Sequence, residues 1–184
     1  MPVIELFVIA GLMLISVSIV WSTLKVGISP MPSSRKARNA IIKLVIDTGN
    51  GPVYELGSGW GGLALMLAKR FPQRSIISYE VSYIPWLLSV VIQKLLRIDN
   101  LKIYRKDFLR ADLSEAEVLV CYLHTEGMQQ IADKLKDEEQ GHRFLISSTF
   151  ALPGYPIDRS VQINDFYKSP VYRYRFTNDA DEGN

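Results

Sequence analysis

The chain has 184 residues, 48% of them hydrophobic and 22% charged, with a formal net charge of +2. That length holds one α/β domain and a short appendage, not two full domains. Lys and Arg are scattered, with no basic run interleaved with aromatics, so no nucleic-acid partner is expected.

The first segment departs from ordinary globular sequence. From Leu6 to Leu24 no residue is charged. A run of about 19 residues makes a helix of about 28 Å, close to the hydrocarbon thickness of a bilayer. Charge before the run is limited to Glu5 and the amino terminus, and Trp21 stands near its end, which is unlike a cleavable signal peptide. A single-pass transmembrane anchor over residues 1–24 is therefore expected. Lys25, Arg35, Lys36 and Arg38 follow it, and this positive bias places the remaining domain on the cytoplasmic side.

Residues 25–34, with GISPMPSS at their end, read as a linker, because each proline disfavours helix just before it. Ser33 or Ser34 can cap a helix over Arg35 to Ile46, which Thr48-Gly49-Asn50-Gly51 then breaks. Strands are expected at PVYELG, SIISYEV, LKIYRKDF, EVLVCYL and RFLISSTF. Helices fall between them at Gly61 to Arg70, Ile84 to Arg97 and Glu126 to Glu138. The run PWLLSVVIQKLL within the second of these reads as a buried helix, too short to span a bilayer. VQINDF and VYRYRF, separated by YKSP, read as an antiparallel pair. The expected fold is thus a doubly wound, Rossmann-like, mostly parallel seven-stranded sheet with an antiparallel C-terminal strand pair. The domain spans 35–176, and 177–184 form a polar, disordered tail. The single cysteine, Cys121, excludes an intrachain disulfide and lacks the companions of a zinc site. Val118, Leu119, Val120 and Leu123 around it predict a buried strand thiol, and no metal is expected.

The strand PVYEL runs into Gly57-Ser58-Gly59-Trp60-Gly61-Gly62 and then a helix. Glycines at such a turn let backbone approach a ligand and offer helix N-terminal amides to it. Gly57, Gly59 and Gly62 also satisfy the dinucleotide pattern G-x-G-x-x-G. Glu55 decides against that reading. A carboxylate there would repel a pyrophosphate, whereas S-adenosylmethionine (SAM) has no phosphate and carries an ammonium and a sulfonium. Glu80, beside Val81 at the end of the next strand, suits a bidentate bond to ribose hydroxyls, a device nicotinamide enzymes share. Asp107 can accept from an adenine amino group beside the apolar Phe108. The expected cofactor is SAM, bound by Glu55, Gly57, Ser58, Gly59, Gly61, Glu80, Val81, Asp107 and Phe108.

ELGSGWGG, SYEVS, KDF and the β-rich finish resemble the class I, seven-strand SAM-dependent methyltransferases. Within that class the chain is most similar to a membrane-associated protein-lysine methyltransferase family, which includes enzymes modifying the ATP synthase c subunit and the adenine nucleotide translocase. The similarity runs over roughly Ile28 to Phe176 and takes in SPMPSS, Glu55 to Gly61, YEVSYIPWLLS and STFALPGYP. It implies N-methylation of a protein lysine, plausibly on a membrane protein. Glu55 stands where aspartate is commoner, and Trp60 where close relatives carry an acidic residue. After the fourth strand come Tyr122-Leu123-His124-Thr125-Glu126, without the Asn-Pro-Pro-Tyr-like element of nucleic-acid and glutamine enzymes. Tyr122, His124 and Glu126 fall at the carboxyl edge, where doubly wound sheets bind ligands, and are the candidate catalytic residues. A small molecule or lipid as acceptor, or a catalytically silent SAM-binding scaffold, are the alternatives.

Overall fold

The computed structural model describes residues 3–26, 33–137 and 144–176. Helix α1 (Val3–Val26) is followed by α2 (Arg35–Ile46), β1 (Val53–Leu56), α3 (Gly62–Arg70), β2 (Ile76–Tyr79), α4 (Tyr83–Leu95) and β3 (Leu101–Tyr104). A 3-10 turn (Phe108–Arg110) leads to β4 (Val118–Cys121), α5 (Thr125–Asp137), β5 (Phe144–Ser148), β6 (Arg159–Gln162) and β7 (Pro170–Arg175). The expected tail at 177–184 and most of the linker lie outside the described residues.

The seven strands form one sheet in the order β3-β2-β1-β4-β5-β7-β6. The first five are parallel, and β7 inserts antiparallel between β5 and β6. The chain starts at β1, winds outward to β3, then returns to β4 beside β1. The strand ends of β1 and β4 therefore flank a topological switch point, where open α/β sheets bind ligands. Strand alternation divides the core. Val118 and Val120 face a cluster with Ile41, Leu44, Val45 and Leu67 of α2 and α3. Leu119 and Cys121 face Met128, Ile131 and Leu135 of α5. Both faces are covered, so β1 and β4 are buried throughout and consist of nearly unbroken apolar residues. Cys121 is the buried strand thiol expected, and burial pushes its pKa up to about 12.

The N-terminus of α2 is set by Ser34, whose hydroxyl accepts from the Ala37 N–H at 3.1 Å. Arg74, buried, secures the other end of this region. Its Nε donates to the Gly51 carbonyl at 2.7 Å, and Nη1 reaches Thr48 Oγ1 at 3.2 Å. Glu117, 3.7 Å from Arg74 Nη2, also accepts from the Gly51 N–H, so one ion pair ties α2, the turn before β1 and the entry to β4.

Three expectations need correction. A membrane-spanning helix is not supported: among the described residues, no helix is long and apolar enough to cross a membrane. Helix α1 forms where expected, over Val3–Val26. Helix α4 was expected to be buried, yet Pro85 and Ser89 are its only buried residues, because it covers β3 at the open edge of the sheet. The sixth strand is Arg159–Gln162 rather than VQINDF, since a turn closed by Asp165 Oδ1 accepting from the Ser169 N–H ends it early. Tyr172 and Tyr174 pack on the sheet, while Tyr167 in that turn is exposed.

Candidate functional site

The glycine turn leaves β1 at the switch point. Gly57, Gly59 and Gly61 all have positive φ, at 83°, 53° and 72°, a region that L side chains enter only at a cost. The turn is fixed from β2: the Gly57 and Ser58 N–H groups both donate to the Tyr79 carbonyl, at 3.1 and 2.9 Å. Ser89 of α4 supports it from below, and a Cβ on Gly61 would stand 2.6 Å from its hydroxyl. A Cβ on Gly59, by contrast, would meet nothing within 4 Å. The turn is thus closely backed on one side and open on the other. Ser58 Oγ is buried there without a hydrogen-bond partner. An orphaned buried hydroxyl beside open space is a feature that a polar ligand would satisfy.

Two carboxylates flank the turn. Glu55 is buried, and its Oε2 accepts from Ser78 Oγ at 3.0 Å. Burial raises its pKa to about 7, with Glu80 nearby adding to the rise, while the Ser78 bond and the charge of Arg38 oppose it. A carboxyl poised in this way is stabilised as an anion by a cation placed close to it. Glu80 sits beyond β2, its Oε2 accepting from the Gly59 N–H and its Oε1 from the Ser82 N–H, both at 2.7 Å. Each oxygen keeps a second lone pair, so the carboxylate can still accept from a diol.

Val81 is exposed next to it. Asp107 caps the 3-10 turn, Oδ1 accepting from the Leu109 N–H at 2.9 Å, and Phe108 packs partly buried against the α5-side core. Among these residues the donor set suits SAM: carboxylates for a diol and for cationic groups, and an apolar wall.

The segment after β4 closes over the same turn. A Cβ on Gly57 would lie 3.6 Å from Leu123 Cδ2, which places Leu123 beside the first loop glycine. Tyr122 is half-exposed. His124 Nε2 lies 3.4 Å from Glu126 Oε2, and His124 Nδ1 is buried without a partner. Glu126 is exposed in the first turn of α5. Glu55, the glycine turn and Glu80 are joined by contacts at the carboxyl ends of β1 and β2, and Leu123 reaches them from the segment after β4.

Some neighbours were not anticipated. Arg38 reaches from α2 to the start of α3, its Nη1 2.7 Å from where a Cβ on Gly62 would be. Ser89 was hidden in the apolar run PWLLSVVI, where it is the one polar residue. Thr149, after β5, has φ 71°, and the Phe150 N–H closes a tight turn around it onto the Ser148 carbonyl at 2.9 Å. For a β-branched residue this is a strained conformation, at the carboxyl edge of the same sheet.

Comparison with solved structures gives the same fold. An RNA methyltransferase from Salinibacter ruber, in complex with S-adenosyl-L-homocysteine, superposes with a TM-score of 0.70 at 21% identity, covering 81% of this chain and 95% of its own. The human methyltransferase 10 domain containing protein gives 0.66 at 10% identity, with coverage of 88% and 96%. Magnesium protoporphyrin IX methyltransferase from Synechocystis, with bound SAM, gives 0.60 at 15% identity, with coverage of 76% and 78%. No curated protein sequence matches the chain significantly. The model of the ANTKMT methyltransferase domain matches residues 55–159, from the carboxylate before the glycine turn to the start of β6. That match spans more than half of the sequence: the chain belongs to the ANTKMT methyltransferase domain family, whose methyl donor is SAM.

Proposed function

We propose that this methyltransferase N-methylates a lysine of a protein, and that α1 holds it at a membrane with the catalytic domain on the cytoplasmic side. The observation that carries the methyl-transfer reading is the glycine turn, open at Gly59 and bounded by Glu55, Glu80 and the unpartnered Ser58 hydroxyl. Its family supports a protein lysine as acceptor. The short segment between β5 and β6 agrees, since it leaves little chain to enclose a small metabolite. The exposed apolar side chains of α1 and the basic residues after it support the membrane assignment.

Bound SAM supplies a methyl group made electrophilic by its sulfonium. Glu80, already holding the Gly59 and Ser82 amides, orients the ribose. Val81, Asp107 and Phe108 would hold the adenine, and the Gly57 to Gly61 backbone with Ser58 would receive the methionine portion. Glu55 supplies negative charge beneath the cationic groups. In-line transfer needs alignment more than covalent assistance. Tyr122, His124 and Glu126 receive the lysine amine, and His124 with Glu126 accepts its proton, because only the neutral amine is nucleophilic.

The test is methyl transfer from labelled SAM into membrane extracts, with Glu80→Ala as the control and mass spectrometry to locate the label. Label precipitating with protein and mapping to a lysine is the expected result. Label partitioning into organic solvent would assign the acceptor to a lipid or small molecule instead. No transfer above the Glu80→Ala control would leave a silent SAM-binding scaffold.

A further inference from the structure

Helix α4 carries apolar residues on its outward side as well as its inward one. A helix on the surface of a globular domain turns its apolar stripe inward and its polar side outward. In α4 the buried positions are Pro85 and Ser89, with Trp86, Val90 and Gln93 half-buried on the same side. There Ser89 Oγ donates to the Pro85 carbonyl at 2.8 Å, and Gln93 Nε2 donates to the Ile98 and Leu101 carbonyls at 2.9 and 3.0 Å. The outward positions are Leu87, Leu88, Val91, Ile92 and Leu95, with Leu95 77% exposed. At about 100° per residue these five fall within one half of the helix circumference. Soluble surfaces do not carry such a contiguous apolar stripe without a use for it.

The surroundings identify that use. Tyr83, at the start of the stripe, lies beneath the Arg105 guanidinium, 5.5 Å from its ring centre. Lys94 and Arg97 stand exposed at the far end. Between residues 83 and 106 there are five basic residues (Lys94, Arg97, Lys102, Arg105, Lys106) and one acidic residue, Asp99, a balance of +4. The whole chain carries +2, so the remainder sums to −2 and positive charge is concentrated here. Helix α1 packs against α4, and its own Leu6, Phe7 and Leu12 are exposed, so a second apolar surface belongs to the neighbouring helix. An apolar stripe with cations at both ends matches the boundary between acyl chains and anionic headgroups.

We infer that the outward face of α4 is a docking surface for an anionic lipid bilayer. Its leucines and valine enter the headgroup boundary, and Lys94, Arg97 and Arg105 contact lipid phosphates. The inference rests on the membrane association proposed for α1 but assigns a second, lateral contact that runs from Tyr83 at the cofactor crevice to Arg97. Such a contact would fix the orientation of the domain relative to the membrane at two points instead of one.

The experiment uses the full chain carrying an environment-sensitive fluorophore on Val91→Cys, or separately on Leu6→Cys; the native Cys121 is buried and does not compete. Each is titrated with vesicles of phosphatidylcholine alone, and of phosphatidylcholine with about one third phosphatidylglycerol. The expected result is a blue shift of the Val91 probe on the anionic vesicles. With Lys94→Gln/Arg97→Gln it should need at least about tenfold more lipid, at about 1 kcal/mol per removed charge. Aqueous emission from Val91 while the Leu6 probe reports insertion would overturn the α4 inference and leave the α1 reading standing. Aqueous emission from both probes would overturn both. A Val91 shift that grows with protein concentration and ignores lipid would give the face to a second copy of the chain, and also overturns the inference. An unchanged thermal melt for each labelled variant establishes that the fold is intact.

Discussion

Glu80 Oε2 accepts the backbone N–H of Gly59 at 2.7 Å, across 21 positions of sequence. With Oε1 on the Ser82 N–H, one carboxylate joins the open glycine to the start of α4. Charge-assisted bonds of this kind are the stronger class of hydrogen bond, so Glu80 preorganises the turn as well as facing the crevice. In Glu80→Gln, one side-chain oxygen becomes an amide NH2 that confronts a backbone N–H. The expected result is a loss of about 1–3 kcal/mol in stability and at least a tenfold weaker SAM affinity. Thermal melts and isothermal titration measure the two. SAM affinity equal to wild type would remove Glu80 from the cofactor site.

Glu55 makes a pH prediction whose sign follows from its burial. Its pKa is raised from 4.5 to about 7 in the fold, so between those values the native state binds more protons than the unfolded chain. Stability contributed by the neutral form is full below pH 4.5 and is lost as pH rises through about 7. The loss is on the order of 3 kcal/mol, at 1.36 kcal/mol per unit of pKa. A cation bound nearby favours the anion, so SAM affinity should rise over the same interval and binding should release protons near neutrality. Glu55→Gln should flatten both profiles. Parallel denaturant titrations at pH 5, 6, 7 and 8 check the stability arm, and calorimetry in buffers of different ionisation enthalpy checks the proton arm.

The glycine turn and the family were legible where backbone conformation and charge dictate residue type. Three glycines with positive φ and a carboxylate two residues ahead leave few chemical options, and the interleaving of short strands with helices disclosed the doubly wound sheet. What escaped reading depends on placement. Nothing in PWLLSVVIQKLL distinguishes an inward apolar face from an outward one; the half-buried Gln93 and the edge position of β3 decide it. Arg38 is one of several scattered basic residues until the fold lays it beside Gly62. The apolar length of α1 suggested a span because the reading used length and charge alone. Thr149 looks like an ordinary strand residue, since strain in φ leaves no mark on composition.

Arg74 should prove structural, although it is a buried cation close to the catalytic domain's first strand. Burial lowers its pKa, with Glu117 opposing, and its bonds go to Gly51, Thr48 and Glu117 rather than to the crevice. Removing one member of a buried pair leaves the other uncompensated and typically destabilises by 3–5 kcal/mol, so Arg74→Ala is expected to fall in about that range. Arg74→Ala/Glu117→Ala should recover part of the loss. Chemical denaturation of the two variants measures the coupling. Additive losses would show that the two side chains act independently, and the proposed tie between α2 and β4 would then be wrong.

His124 offers the sharpest separation of chemistry from binding. Its Nδ1 is buried without a partner and its Nε2 is 3.4 Å from Glu126, while Leu123 beside it rests against Gly57. If the pair accepts the proton of the acceptor amine, His124→Asn should lower kcat about 10²–10⁴-fold with SAM affinity unchanged. Glu126→Gln, acting through the exposed side of the ring, should lower it less. Raising the pH supplies neutral lysine without a base, so the deficit of His124→Asn should shrink in alkaline buffer. A purely structural histidine would instead give a lower melting temperature and a rate deficit independent of pH. Steady-state rates on the mapped acceptor across pH, with melts of the same preparations, distinguish the two, and a pH-independent deficit would take His124 out of the mechanism.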